Sequence, residues 1–229
     1  MNKLLSKTSE SNNLLSNASD SGVLEKDARS NIFITGTDTN VGKTIISSWI
    51  CLHSGAKYWK PVQTGHDSDS QTVRRISPST EIIPEAYKLK APLSAYDAAN
   101  AEHIKIDPRN ILEKIPNGAI IEGAGGALVP ISEGFFMADL IKQANCNAII
   151  VARSKLGFQN HIYLTIEALN ARGINIIGII LNGCSSLIPT IEHFSGVRVL
   201  HVFSWDQRNL SQTIFNTALP QEILRHLRN

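Results

Sequence analysis

Cysteine is scarce, with three in 229 residues: Cys51, Cys146 and Cys184. Their odd number and wide separation exclude a disulfide framework, offer no metal-ligand spacing, and suit a reducing, cytoplasmic setting. Long apolar runs are also missing. None approaches the roughly 20 residues that cross a bilayer. Leu4-Leu5 is cut short by Ser6 and Lys7, so neither a signal peptide nor a membrane partner is expected. Nor is there an excess of one charge. Twenty-two Lys and Arg against 20 Asp and Glu leave a formal charge of +2, which gives no warrant for a nucleic-acid partner. What remains is ordinary globular composition, 42% hydrophobic and 18% charged. That suits one α/β domain with a sizeable core.

Residues 1–30 hold seven serines and four asparagines and no sustained period. They read as a disordered extension too poor in apolar surface to order itself, with a docking tail as the alternative. From residue 31 to 229 the chain reads as one domain. Ile32-Phe33-Ile34-Thr35 predicts a buried strand. Ile45, Ile46, Trp49, Ile50 and Leu52 predict a helix from Thr44 to His53, closed by Gly55. Lys57 to Lys60 predicts a second strand, halted by Pro61, and Gln63 to Thr80 reads as a polar segment. Ala119-Ile120-Ile121 predicts a strand ending at Glu122. Further strands are expected at 148–152, 174–181 and 198–203, with helices at 137–144, 161–172 and within 209–227. Apolar runs alternating with amphipathic helices mean a mainly parallel sheet covered on both faces.

Between the first strand and its helix lies Gly36-Thr37-Asp38-Thr39-Asn40-Val41-Gly42-Lys43-Thr44. Strand, glycine-rich turn and helix, in that order, make a phosphate loop. Glycine lets the backbone approach phosphate, and the helix-start amides and dipole favour an anion. Lys43 would reach the β- and γ-phosphates of a nucleoside triphosphate, and the Thr44 hydroxyl would meet Mg²⁺. The spacing departs from the usual pattern, since five residues separate Gly36 from Gly42.

Ligands of open α/β sheets bind beyond the carboxyl ends of the strands. Lys60-Pro61-Val62-Gln63-Thr64-Gly65 ends the second strand, and Lys60 reads either as a second charge in the crevice or as a solvated lysine. Asp67 and Asp69 follow in a polar loop. Asp69 is either solvated or one of the hard oxygen ligands that Mg²⁺ needs. Glu122-Gly123-Ala124-Gly125-Gly126 offers a carboxylate followed by close-approach backbone. Lys155-Leu156-Gly157-Phe158-Gln159-Asn160 reads equally as an anion site at a helix start or as a connecting loop. Asn182-Gly183 offers a base-reading amide or a turn.

In combination these segments resemble the dethiobiotin synthetase family, in order, from residue 31 to about 183. The matches are the phosphate loop with its five-residue spacing, Lys60-Pro61-Val62-Gln63-Thr64-Gly65, Ser68-Asp69, Glu122-Gly123-Ala124-Gly125-Gly126, Lys155-Leu156-Gly157 with Asn160-His161, and Asn182. The resemblance implies a P-loop NTPase fold and an ATP-dependent ligase of biotin biosynthesis. Its substrates would be 7,8-diaminononanoate, CO₂ and MgATP, and its products dethiobiotin, ADP and phosphate. It implies Lys60 and Lys43 as catalytic, and Thr44, Asp69 and Glu122 as Mg²⁺ ligands. Asn40, Val41, Gly42, Lys43, Thr44, Ile45, Asp69, Glu122, Gly123, Ala124, Gly125 and Asn182 would contact ATP, with Asn182 reading adenine. Thr64 would contact the diamine. It also implies a homodimer in which Leu156, Gly157 and Asn160 grip the substrate carboxylate of the other subunit.

Two stretches depart from the family. Ala95-Tyr96 replaces Pro-His in a Pro-x-Ser-Pro-His segment. The chain from His201 to Trp205 lacks a Gly-x-x-Pro, which touches the adenine-side contacts at Ser204 to Asp206. Two rivals remain. A dimeric P-loop ATPase switch would carry a lysine near the loop start, where Thr37 stands. A nucleotide-binding module without catalysis would not need Lys43, Thr44, Lys60, Asp69 and Glu122 intact.

Overall fold

The apolar runs pair into one parallel sheet. A computed structural model describes residues 30–66, 68–204 and 210–228. The expected N-terminal extension, except Ser30, lies outside these residues, as do Asp67 and the adenine-side positions Trp205 and Asp206. The phosphate loop joins β1 (Ile32–Gly36) to α1 (Lys43–Ser54). Next come β2 (Lys57–Trp59), β3 (Val62–Thr64), α2 (Asp69–Ile76), β4 (Ile82–Ile83), β5 (Tyr87–Leu89), α3 (Ala95–Ala101) and α4 (Pro108–Leu112). The middle holds β6 (Ala119–Gly126), β7 (Pro130–Ser132), β8 (Phe135–Phe136), α5 (Met137–Gln143), β9 (Asn147–Arg153) and α6 (Phe158–Asn170). Last are β10 (Ile176–Asn182), α7 (Ile188–Ser195), β11 (Val199–Phe203), α8 (Leu210–Asn216) and α9 (Gln221–Arg228).

Seven strands form the main sheet in the order β11-β10-β9-β1-β6-β2-β4, and every pairing in it is parallel. β1 lies where the chain's progress across the sheet reverses, which puts the phosphate loop at the topological switch point. Two apolar layers cover the faces. One packs Ile46, Trp49 and Ile50 of α1 with Val73, Ile214 and Ile223. The other packs Ile111, Leu140, Ile162, Leu169 and Ile191 from α4, α5, α6 and α7. Burial on both faces explains why the strands read as continuous apolar runs. Among the described residues no helix is long and apolar enough to cross a membrane.

Three expectations need correction. β6 does not end at Glu122; it continues to Gly126, which pairs with Gly36 of β1. Glu122 therefore projects from within a strand. The polar segment after Gln63 holds strand β3 and helix α2. That helix has Val73 as its buried apolar residue, so its hydrophobic period is too thin to read. Ser68 caps it, accepting from the Gln71 amide at 3.3 Å, and Asp69 is its first residue rather than part of a loop. Helix α6 starts at Phe158 instead of His161, because Gly157 takes the left-handed turn (φ 87°) that launches it.

Candidate active site

The phosphate loop closes over its own lysine. Lys43 Nζ donates to the Asp38 carbonyl at 2.9 Å and is buried. Gly36 has no room for a side chain. A Cβ there would lie 2.8 Å from Asp38 O and 3.0 Å from Lys43 Nζ, closer than carbon atoms pack. Gly42 caps α1 at φ 102°, a backbone region that glycine adopts without strain. The Asp38 carboxylate binds the Thr39 amide at 2.7 Å and Lys155 Nζ at 2.9 Å. That ion pair ties the loop to the stretch before α6, and it holds the Asp38 carboxyl below its usual range.

Beside the loop lies a cluster of oxygens and one cation. Thr44 Oγ1 is 2.8 Å from Asp69 Oδ1 and 2.8 Å from Glu122 Oε1. Lys60 Nζ pairs with Asp69 Oδ2, and with Glu122 Oε1 at 3.3 Å. Tyr58 Oη donates to Glu122 Oε2 at 3.0 Å. Gln63 Oε1 accepts from the Asp69 amide at 3.2 Å and so fixes the start of α2. Glu122 is 1% exposed and Lys60 4%. A buried charge persists where partners satisfy it, and here each charge has two or more.

Three strands and one helix bring these groups together. β1 ends at the loop, β2 delivers Tyr58 and hands on to Lys60 just past its end, two positions along, β6 delivers Glu122, and α2 swings Asp69 in from outside. They line a cleft of about 590 Å³. Asn40, Gly42, Lys43, Thr44, Ile45, Lys60, Thr64, Asp69, Glu122, Ala124 and Gly125 line it. Val41 is buried in the α1-side layer, and Gly123 backs the cleft from within β6, against Phe33 and Met137.

Asn182 sits behind the phosphate loop. It is buried, and its amide nitrogen donates to the Val41 carbonyl. In this state it props the phosphate loop rather than facing a base. Leu156, Gly157 and Asn160 do not line this cleft. Leu156 is fully exposed and Asn160 is exposed. One chain therefore does not unite the α6 start with the lysine–carboxylate cluster.

Several cleft contributors were not singled out from the sequence as site residues, Thr39, Gly65 and His66 among them. Arg153 closes β9 and lines the cleft, as do Gln63 and Pro92. Tyr58 lies beneath it. The signal for Tyr58 was its two-residue offset from Lys60, which puts both on one face; an aromatic residue in a strand otherwise reads as core.

Electrostatics separates the two lysines. Burial pulls the Lys43 ammonium down to about 8; Lys60 adds repulsion, and Glu122 opposes the shift. Burial acts on Lys60 as well, but Glu122 and Asp69 outweigh it and hold its pKa above the ordinary value. Burial and the Glu122 charge keep the Tyr58 phenol well above its usual value, so it stays a donor.

The donor set fits Mg²⁺. Thr44 Oγ1 sits 2.8 Å from both Asp69 Oδ1 and Glu122 Oε1, so three hard oxygens converge on one point, with Lys60 as the cation that balances the carboxylates in this state. Among the described residues no group of three or more His, Cys, Asp or Glu could hold a metal. Mg²⁺ instead takes one or two carboxylates and completes its shell with water and phosphate.

A parallel sheet, a phosphate loop at its switch point and a Thr–Asp–Glu oxygen set define a P-loop nucleotide-binding protein. Solved structures support that fold. The ParA family ATPase of Chlorobium tepidum superposes with TM-score 0.55 at 14% identity, over 86% of this chain and 92% of that one. MinD of Aquifex aeolicus gives 0.51 at 14%, over 87% and 95%. The AAA domain family matches residues 30–211. The chain is 43% identical over 174 residues to the ATP-dependent dethiobiotin synthetase of Paramagnetospirillum magneticum, covering 74% of this chain and 85% of that one. It is 40% identical over 195 residues to the enzyme of the same name from Lawsonia intracellularis, covering 83% and 96%. The chain belongs to the dethiobiotin synthetase family.

Proposed function

We propose that this protein is an ATP-dependent cyclo-ligase of biotin biosynthesis, which carboxylates 7,8-diaminononanoate with CO₂ and closes the ring to dethiobiotin. It would work in the cytoplasm as a homodimer. The observation that carries the reading is Lys60, a second buried lysine beside the phosphate loop, held by Asp69 and Glu122. A nucleotide switch needs Lys43 and Thr44; it has no evident use for a further buried cation on the cleft floor.

The reaction has three bond-forming steps. One substrate amine attacks CO₂, forms a C–N bond and loses a proton, giving a carbamate. A carbamate oxygen attacks the γ-phosphorus, and the bond to ADP breaks with its electrons leaving on ADP. The second amine attacks the carbamoyl carbon, loses a proton and expels phosphate.

The protein's part is charge placement, the main resource in phosphoryl transfer. Lys43 turns from the Asp38 carbonyl toward the β- and γ-phosphates, whose charge offsets its burial. Lys60 faces the carbamate and the moving phosphoryl group. Thr44, Asp69 and Glu122 would hold Mg²⁺, which would supply positive charge to the phosphate oxygens, and Lys60 would then be free of its carboxylate partners. The loop from Asn40 to Ile45 and the backbone from Gly123 to Gly125 wrap the nucleotide, and Thr64 meets the diamine. Leu156, Gly157 and Asn160 serve the neighbouring subunit's substrate carboxylate through the free amides of the α6 start.

The test is product formation. Incubation with diaminononanoate, labelled bicarbonate and MgATP should give acid-stable labelled dethiobiotin. ATP turnover indifferent to the diamine, with no labelled product, would overturn the reading and favour the ATPase switch.

A further inference from the structure

We propose that Tyr58 is a positioning residue for Glu122, aiming one carboxylate oxygen at Thr44 and the cation site by holding the other. Tyr58 lies in β2 opposite Ile120 of β6 and Ile82 of β4. It is 0% exposed, in a layer built from Ile50, Cys51, Val73 and Ile120. Phenylalanine would fill that space without the cost of burying a hydroxyl. The hydroxyl has one use there: it reaches up the sheet face to Glu122 Oε2 at 3.0 Å.

The consequence falls on the other oxygen. Glu122 Oε1 is the atom that meets Thr44 at 2.8 Å and Lys60 at 3.3 Å. With Oε2 anchored, the carboxylate plane is set and Oε1 faces the cleft. Without the anchor, Oε2 is a buried charged oxygen lacking a donor, and the group gains by turning toward Lys60 or Thr44. A ligand rotated in that way binds the cation less well. Partners that orient metal ligands typically change affinity by about 10–100-fold when removed.

The inference deepens the ligase reading, but its main test does not need the diamine. Binding of Mn²⁺ to the ADP-loaded full chain is followed by the electron paramagnetic resonance signal of the free ion. Tyr58→Phe should weaken Mn²⁺ about tenfold, while ADP binding without metal stays within twofold and the chain stays folded, with a melting temperature lowered only by the loss of one buried hydrogen bond. In turnover, kcat should drop and the metal concentration for half-maximal rate should rise, with KM for ATP little changed at saturating metal. Tyr58→Leu, which also opens a cavity, should show the same Mn²⁺ defect together with a lower melting temperature. Mn²⁺ affinity within twofold of wild type in Tyr58→Phe, or a defect confined to Tyr58→Leu, would overturn the proposal. If wild type makes no dethiobiotin yet Tyr58→Phe still loses Mn²⁺, the ligase reading fails and the role of Tyr58 stands.

Discussion

The floor of the cleft and the start of α6 are built on opposite terms. On the floor, Lys60, Glu122 and Tyr58 are buried and joined by hydrogen bonds. At the α6 start, Leu156 and Asn160 are exposed, and neither lines the cleft. The sheet supplies the floor completely, because three neighbouring strands point at one spot. The α6 start is a largely exposed helix end that does not line the cleft. The contrast teaches that the lysine–carboxylate cluster is assembled within one chain, whereas the α6 start stands apart from it. In the proposed function a second copy of the chain would bring its α6 start to the substrate carboxylate.

The largest expected effect is on the floor. Lys60→Ala should lower dethiobiotin formation by about 10²–10³-fold or more, while ADP affinity, measured by calorimetry, changes by a few-fold. Near-wild-type turnover would remove Lys60 from the mechanism and erase the contrast. At the α6 start, Asn160→Asp places a negative charge against the substrate carboxylate. KM for diaminononanoate should rise by about fivefold or somewhat more, with KM for ATP unchanged, since screened like charges at an exposed site repel by about 1 kcal/mol or somewhat more. A matching rise in KM for ATP would mean that this helix end serves the nucleotide instead.

Two smaller effects sharpen the floor itself. Asn182→Ala strips the Val41 carbonyl of its buried donor and should cost about 1–3 kcal/mol of stability in thermal or denaturant unfolding. As a prop, the residue should weaken ATP and GTP alike; selective loss of ATP would restore the base-reading role. The last effect concerns protons. The Lys43 pKa is lowered to about 8 by burial, below its unfolded value. Its charged form therefore opposes folding below about pH 8, and that cost fades as pH rises toward the unfolded value. Phosphates beside Lys43 favour the charged form, so nucleotide binding near pH 9 should take up roughly one proton. Calorimetry in buffers of different ionisation enthalpy reads this directly. Binding without proton uptake would mean that Lys43 does not turn to the phosphates.

How far the sequence carries depends on the residue. The phosphate loop and the strand that feeds it were legible, since glycine spacing and a buried strand leave few alternatives. Lys60, Asp69 and Glu122 were legible as candidate site residues, yet their union was not, because α2 carries Asp69 into the cleft and its polar composition hides the helix. Glu122 was read as a strand tip because glycines end most strands; here Gly126 pairs on against Gly36. Tyr58 was hidden by its company, as an aromatic among apolar neighbours reads as packing. Asn182 was legible as a polar strand-end residue, but its bond to the Val41 carbonyl was not, since a short polar side chain there serves the loop above it as readily as a ligand.

The division between floor and α6 start is tested most directly by mixing two defective proteins. Lys60→Ala and Asn160→Asp chains are combined, allowed to exchange subunits, and supplied with MgATP, labelled bicarbonate and diaminononanoate at a concentration limiting for Asn160→Asp. In a mixed dimer one site takes its floor from the Asn160→Asp chain and its α6 start from the Lys60→Ala chain, so it has no defect. About a quarter of wild-type labelled dethiobiotin formation should return, because half the dimers are mixed and each has one sound site. If subunits exchange and activity stays at the sum of the two separate variants, the α6 start does not serve the partner's cleft.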